Sequence, residues 1–131
     1  MRAHAYDSLP RAFQALSDPT RLRMFRLLAV SRAKLCVCEL VDSLQERQYN
    51  VSRHLKVLQT VSLVRGEKDG RWTYYGLDRR NPTVAPFARL VASLPDTAGG
   101  FAADQERFEG RLALRERGKC RCGIQTPALA R

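Results

Sequence analysis

Val51-Ser52-Arg53-His54-Leu55-Lys56-Val57-Leu58 carries two chemistries on one helical repeat. At about 100° per residue, Val51, Leu55 and Leu58 share an apolar face while Ser52, Arg53 and Lys56 turn away from it. The spacing predicts an amphipathic helix from about Tyr49 to Gln59. Just upstream, a segment from about Cys36 to Gln45 places Leu40, Val41 and Leu44 on a stripe of the same kind. Two short helices joined by a tight link make a helix-turn-helix, and the exposed face of the second is the one that enters a major groove.

Working outward, Leu9, Ala12, Phe13 and Leu16 give a first helix of about two turns. Asp18 is an N-cap and Pro19 the first helical residue of a second helix running to about residue 31, with Leu22, Met24, Phe25, Leu27 and Leu28 along it. After Val61 the period changes. Leu63 to Glu67 and Arg71 to Leu77 are rich in strand formers, and Lys68-Asp69-Gly70 between them signals a hairpin. A basic hairpin directly behind a helix-turn-helix is a wing. Pro82 and Pro86 bracket the start of a further helix through Phe87, Leu90, Val91 and Leu94, ended by Pro95 and Gly99-Gly100. A last helix is expected from Ala102 to about Lys119, where Phe108, Leu112 and Leu114 form a stripe thin enough to need a partner. The expected fold is mainly α with a β-hairpin wing, a dimeric winged helix-turn-helix. Residues 1–119 would form the DNA-binding and dimerisation domain. Residues 120–131, with Gly123 and Pro127, would form a flexible cysteine-containing tail.

Composition narrows the partner. A chain of 131 residues suits one domain that buries about two-thirds of its unfolded surface. Twenty-three basic against thirteen acidic residues leave a net charge of +10, which draws the chain towards polyanions and nucleic acid above all. No apolar run approaches the roughly 18 residues of a membrane helix, and the N-terminal stretch has no continuous apolar signal core. The expected location is therefore cytoplasmic, with no membrane partner. In a reducing compartment the four cysteines are thiols or metal ligands rather than disulfides. No nucleophile–base constellation, phosphate-cradling glycine loop or paired histidines is present, so an enzyme is not expected.

On the reading helix, Arg53 can donate two hydrogen bonds to a guanine edge. Gln48 and Ser52 would read or anchor near the helix start, and Lys56 would meet phosphate. For His54, bordering the apolar stripe, packing or phosphate anchoring weighs as much as base reading. Arg65, Lys68 and Arg71 sit near the wing tip to contact phosphates. The plainer alternative is that Arg53 and Lys56 are only the solvated face of a surface helix. Trp72, Tyr74 and Tyr75 are expected to pack the wing onto the body rather than stack on bases.

Four stretches in order carry a resemblance: Ala15-Leu16-Ser17-Asp18-Pro19-Thr20-Arg21-Leu22-Arg23, Leu35-Cys36-Val37-Cys38-Glu39-Leu40, Val51 to Leu58, and Gly70-Arg71-Trp72-Thr73-Tyr74-Tyr75. Together they resemble the ArsR/SmtB family of metal-responsive repressors over about residues 9 to 95, with the cysteine stretch similar to the arsenite- and antimonite-sensing subgroup. The resemblance implies a homodimer that represses its operon on double-stranded operator DNA and leaves it when a metal or metalloid binds. Arg47, Tyr49 and Asn50 depart from the usual turn before the reading helix. Val41 stands where arsenite sensors of this type often carry a third cysteine.

Arsenite is three-coordinate and thiophilic, and soft thiolates also favour zinc, cadmium and lead. Cys36 and Cys38 alone underfill any such site. In an ideal helix they would point about 200° apart, so joint ligation requires them at or before the helix start. Cys120-Arg121-Cys122 can supply the missing ligand, and Lys119 and Arg121 beside it are expected to favour the thiolate. The sequence reading is thus a repressor released by arsenite or antimonite, held by Cys36, Cys38 and one of Cys120 and Cys122. One alternative is a cadmium, lead or zinc sensor using all four sulfurs. The other is a thiol redox switch, in which disulfides replace metal as the signal.

Overall fold

The computed structural model describes the backbone of residues 5–131 and the side chains from Ser8 onward. Six helices and one hairpin follow in the order α1 (Ala5–Leu16), α2 (Pro19–Ser31), α3 (Val37–Leu44), α4 (Gln48–Thr60), β1 (Val64–Asp69), β2 (Trp72–Leu77), α5 (Val84–Ser93) and α6 (Gly100–Leu112), with a short 3-10 turn at Pro127–Leu129. Asp18 caps α2 as its sequence position predicts: its extended backbone places the carboxylate to accept from the Arg21 N–H at 3.0 Å. Gln45, in the left-handed conformation at φ 54°, ends α3, and the link to α4 is then only residues 45–47. That tight turn makes α3 and α4 a helix-turn-helix. Met24, Phe25, Leu40, Val51, Leu55 and Leu58 interlock beneath it in the main core.

The hairpin pairs antiparallel from Val64 with Leu77 to Asp69 with Trp72, leaving Gly70-Arg71 as a two-residue loop. Gly70, at φ 66°, takes the positive angle at the first loop position. The turn therefore lies one residue later than Lys68-Asp69-Gly70 indicated, because Lys68 and Asp69 remain in the ladder. Leu35 adds an isolated bridge to β2, exchanging hydrogen bonds with Tyr75 at 2.9 and 2.8 Å. The chain thus enters α3 from the sheet edge, with Cys36 at the junction.

Two expectations for the last helix are corrected. The last helix stops at Leu112 rather than near Lys119: Arg117 and Gly118 adopt positive φ, and Glu116 bridges Lys119, so the chain turns back. Leu114, placed on the helix stripe above, is 45% exposed. The α6 stripe also needs no second chain, since α6 packs on α3 and Phe108 enters the main core. Residues 120–131, expected to be flexible, pack against the body. Ile124 and Leu129 lie on the core, and the Asp42 carboxylate accepts from the backbone N–H groups of Gln125 and Thr126. An apolar face remains on α1 and α5, where Phe13 is 56% and Leu90 50% exposed. No helix among the described residues is long and apolar enough to cross a membrane.

Candidate metal centre and nucleic-acid interface

Cys36 is the N-cap of α3, with extended backbone at φ −80° and ψ 167°, and Cys38 lies in the first helical turn. That placement removes the divergence an ideal helix would impose: their Sγ atoms are 3.0 Å apart. Cys120 completes a triangle, its Sγ 3.1 Å from Cys36 and 3.5 Å from Cys38. All three residues are buried. Among the described residues they are the group of metal-ligating atoms lying within 4.8 Å of one another. Cys122 contributes its backbone rather than its sulfur, since its carbonyl accepts from the Cys120 thiol at 3.3 Å. Its half-buried sulfur is outside the group.

Ionic ties from the end of α6 and the turn that follows it surround the triangle. Fully buried Glu39 accepts both from the Cys36 N–H at 3.1 Å and from Arg115, whose Nε and Nη2 reach its two oxygens at 2.7 Å each. Burial pushes the Glu39 carboxyl upward, but the Arg115 guanidinium and the Cys36 N–H pull harder and hold it below its ordinary value. Arg111 binds Asp42 at 2.6 Å and the carbonyls of Cys122 and Gly123 at 3.0 Å each. Tyr74 adds its hydroxyl, which accepts from the Cys120 N–H at 2.9 Å. It belongs to the wing's inner side, as the packing reading of the aromatics required.

Two of the thiols, Cys36 and Cys120, are held towards the protonated form. The hydrogen bond with Cys38 and then burial push the Cys36 thiol far up. Burial and then the hydrogen bond with Cys36 push Cys120 up to about 11. This reverses the expectation that Lys119 and Arg121 would favour a Cys120 thiolate. Lys119 is turned to Asp69 and Arg121 to Glu116, and desolvation dominates what remains.

The residues expected to contact DNA fall into two groups. Gln48, Ser52, Arg53 and Lys56 are exposed along α4, with Arg53 resting 3.4 Å from Asn50, and Arg65, Lys68 and Arg71 are exposed on the wing. Arg71 lies over the Trp72 ring at 5.1 Å. His54 is not on that face. It is buried, its Nδ1 accepts from Arg21 at 3.0 Å, and its Nε2 looks towards Asp18 at 3.9 Å. Burial lowers its pKa, so it stays neutral and joins α4 to α2 rather than meeting DNA.

The two sites adjoin. Cys36, Cys38, Gln48, Arg71, Trp72 and Ile124 line a single cleft of about 320 Å³ between α3, the start of α4, the wing and the tail. At the tail's far end the Arg131 carbonyl accepts from the Tyr49 N–H at 3.0 Å, in the first turn of α4. Sequence reasoning missed Glu39, Asp42, Arg111 and Arg115, which carried no signal beyond being charged, and it could not see that the tail reaches α4.

The family described as "Bacterial regulatory protein, arsR family" matches residues 18–65, which spans α2 through the start of β1. An arsenical resistance operon repressor of Escherichia coli (strain K12) is 38% identical over 108 residues, 82% of this chain and 85% of that protein. A cadmium resistance transcriptional regulatory protein CadC homolog from Staphylococcus aureus is 32% identical over 52% of this chain and 55% of its own length. Among solved structures, the homodimeric winged helix-turn-helix DNA-binding domain Mb0332 of Mycobacterium bovis, a possible ArsR-family regulator, matches at TM-score 0.58 and 26% identity over 66% of this chain and 76% of that one. With the family's pattern on its reading helix and a close relative aligned over most of its length, this chain belongs to the arsR family of bacterial regulatory proteins.

Proposed function

We propose that this protein is a cytoplasmic, homodimeric repressor that binds operator DNA through α4 and the wing and is released by arsenite or antimonite on Cys36, Cys38 and Cys120. The observation that carries the reading is the triangle of buried sulfurs at 3.0, 3.1 and 3.5 Å. Three sulfurs together would offer a full donor set to a three-coordinate thiophilic centre and an incomplete one to a four-coordinate centre. A tetrathiolate site for cadmium, lead or zinc would need the Cys122 sulfur, which is outside the group.

Binding is a ligand exchange without electron transfer. Each thiol proton leaves with one arsenous hydroxyl as water, three As–O bonds break and three As–S bonds form. High thiol pKa values suit this chemistry, because protons travel with the leaving hydroxyls and no buried thiolate waits uncompensated. Closing the triangle ties the first turn of α3 and the tail together beside Gln48 and Arg71. Release follows if that tied arrangement differs from the one DNA requires, since a ligand shifts an equilibrium only by its differential affinity for the two states.

The experiment is operator release measured with arsenite, antimonite, cadmium, lead, zinc and peroxide. Arsenite and antimonite are expected to act at the lowest concentrations. Release driven best by cadmium or lead and abolished by Cys122→Ser would install the tetrathiolate reading; release by peroxide alone would install a disulfide switch, for which Cys36 and Cys120 are the closest pair across the tail.

A further inference from the structure

We infer that Arg111 is a positioning residue of the inducer site: it holds the tail segment so that Cys120 can serve as the third sulfur. The inference deepens the three-thiol reading and rests on it. Arg111 is 5% exposed and reaches three partners on two segments far apart in sequence, Asp42 on α3 and the carbonyls of Cys122 and Gly123 in the tail. Asp42 is held on the same side, accepting from the Gln125 N–H and from the Thr126 N–H and hydroxyl. The backbone from 122 to 126 is thereby fixed to α3, the helix that carries Cys36 and Cys38. The Cys122 carbonyl is the shared point, since it accepts from Arg111 and from the Cys120 thiol at once.

The geometry is a poor design for stability alone. Arg111 Nη1 is buried with no hydrogen-bond partner among the described residues, and a buried ion pair contributes little that a well-packed apolar pair would not. What the pair supplies is register. An apolar substitute could cover α3 but could not fix two tail carbonyls, and without them the position of Cys120 over the α3 thiols would rest on the Tyr74 hydroxyl and on the ties of Lys119 to Glu116 and Asp69, none of which reaches α3. Groups that orient ligands from behind in this way commonly control affinity by about 10–100-fold.

The test uses the full-length dimer and arsenite. Arg111→Gln is expected to bind arsenite about 10–100-fold more weakly. The arsenic-edge sulfur count should fall from three to two, and in loaded protein Cys120 should become open to maleimide while Cys36 and Cys38 stay protected. Operator affinity without arsenite should be unchanged, which a merely structural role would not preserve. Arg111→Lys keeps the charge but cannot span Asp42 and both carbonyls, so it should show the same loss to a lesser degree; it decides the matter if the glutamine variant does not fold. Three sulfurs and unaltered arsenite affinity in a folded variant would overturn the inference. Wild-type protein whose Cys120 stays open to maleimide under saturating arsenite would instead sink the three-thiol reading, so the two failures are distinguishable.

Discussion

Substitution of single cysteines is expected to separate sensing from DNA reading. Cys36→Ser and Cys38→Ser preserve size but remove a soft ligand, and neither residue is on the exposed face of α4. Each is expected to keep operator binding while losing arsenite-driven release, measured by fluorescence anisotropy of labelled operator; an unfolded variant would show that the thiols serve the core instead. Asp18 works on stability. Its cap on α2 should make Asp18→Ala less stable by about 0.5–2 kcal/mol in urea unfolding at neutral pH. Burial pushes its carboxyl up, but the Arg21 N–H and the nearby His54 and Arg21 outweigh this and leave it below its ordinary 3.8. A lowered folded pKa means the contribution is complete above the unfolded value and is lost as pH falls through the folded one. The difference between wild type and Asp18→Ala should therefore shrink below about pH 4, and a difference constant down to pH 2 would contradict the assignment.

On the proposed function, two elements are expected to divide the DNA contact. If the Arg53 guanidinium on α4 reads a base, Arg53→Ala should weaken specific binding by about 1–3 kcal/mol and relax sequence preference, whereas an equal loss on all DNA would reassign it to phosphate. Arg71→Ala on the wing should weaken operator and random DNA alike and reduce the salt dependence by about one counterion. An unchanged salt slope would remove the wing contact. How far the elements were legible follows from the range of the forces that make them. The Asp18-Pro19 start of α2 and the Val51–Leu58 stripe of α4 are local signals, and both helices lie within about a residue of where the sequence puts them. The end of α6 was not legible, because no glycine or proline marks Leu112 as a stop, and the turn back that follows uses a positive φ at Arg117 that non-glycine residues rarely adopt. The tail's packing was hidden for another reason: it is made by Asp42 and Arg111, 69 residues apart, and neither periodicity nor spacing reveals which charges will meet. The Cys36–Cys38 pair was legible, down to its need for a position at the helix start; the choice of Cys120 over Cys122 was not.

At the scale of the molecule, the exposed apolar face of α1 and α5, with Phe13 packed on Phe87 at 4.8 Å between ring centres, is the surface a second copy would cover. The sequence reading placed the need for a partner on the last helix, but α6 finds its partner in α3, and the exposed face lies on α1 and α5. A two-fold dimer on a pseudopalindromic operator is the expected assembly. Phe13→Glu should yield monomers in sedimentation and bind a single half-site weakly, while a dimer unaffected by that change would move the interface elsewhere. The central claim is that arsenite is held by Cys36, Cys38 and Cys120, with the Cys122 sulfur uninvolved. X-ray absorption at the arsenic edge on arsenite-loaded Cys122→Ser and Cys120→Ser proteins tests it most directly. The account predicts three sulfurs in the first and two in the second; two sulfurs in Cys122→Ser, or three retained in Cys120→Ser, would contradict it.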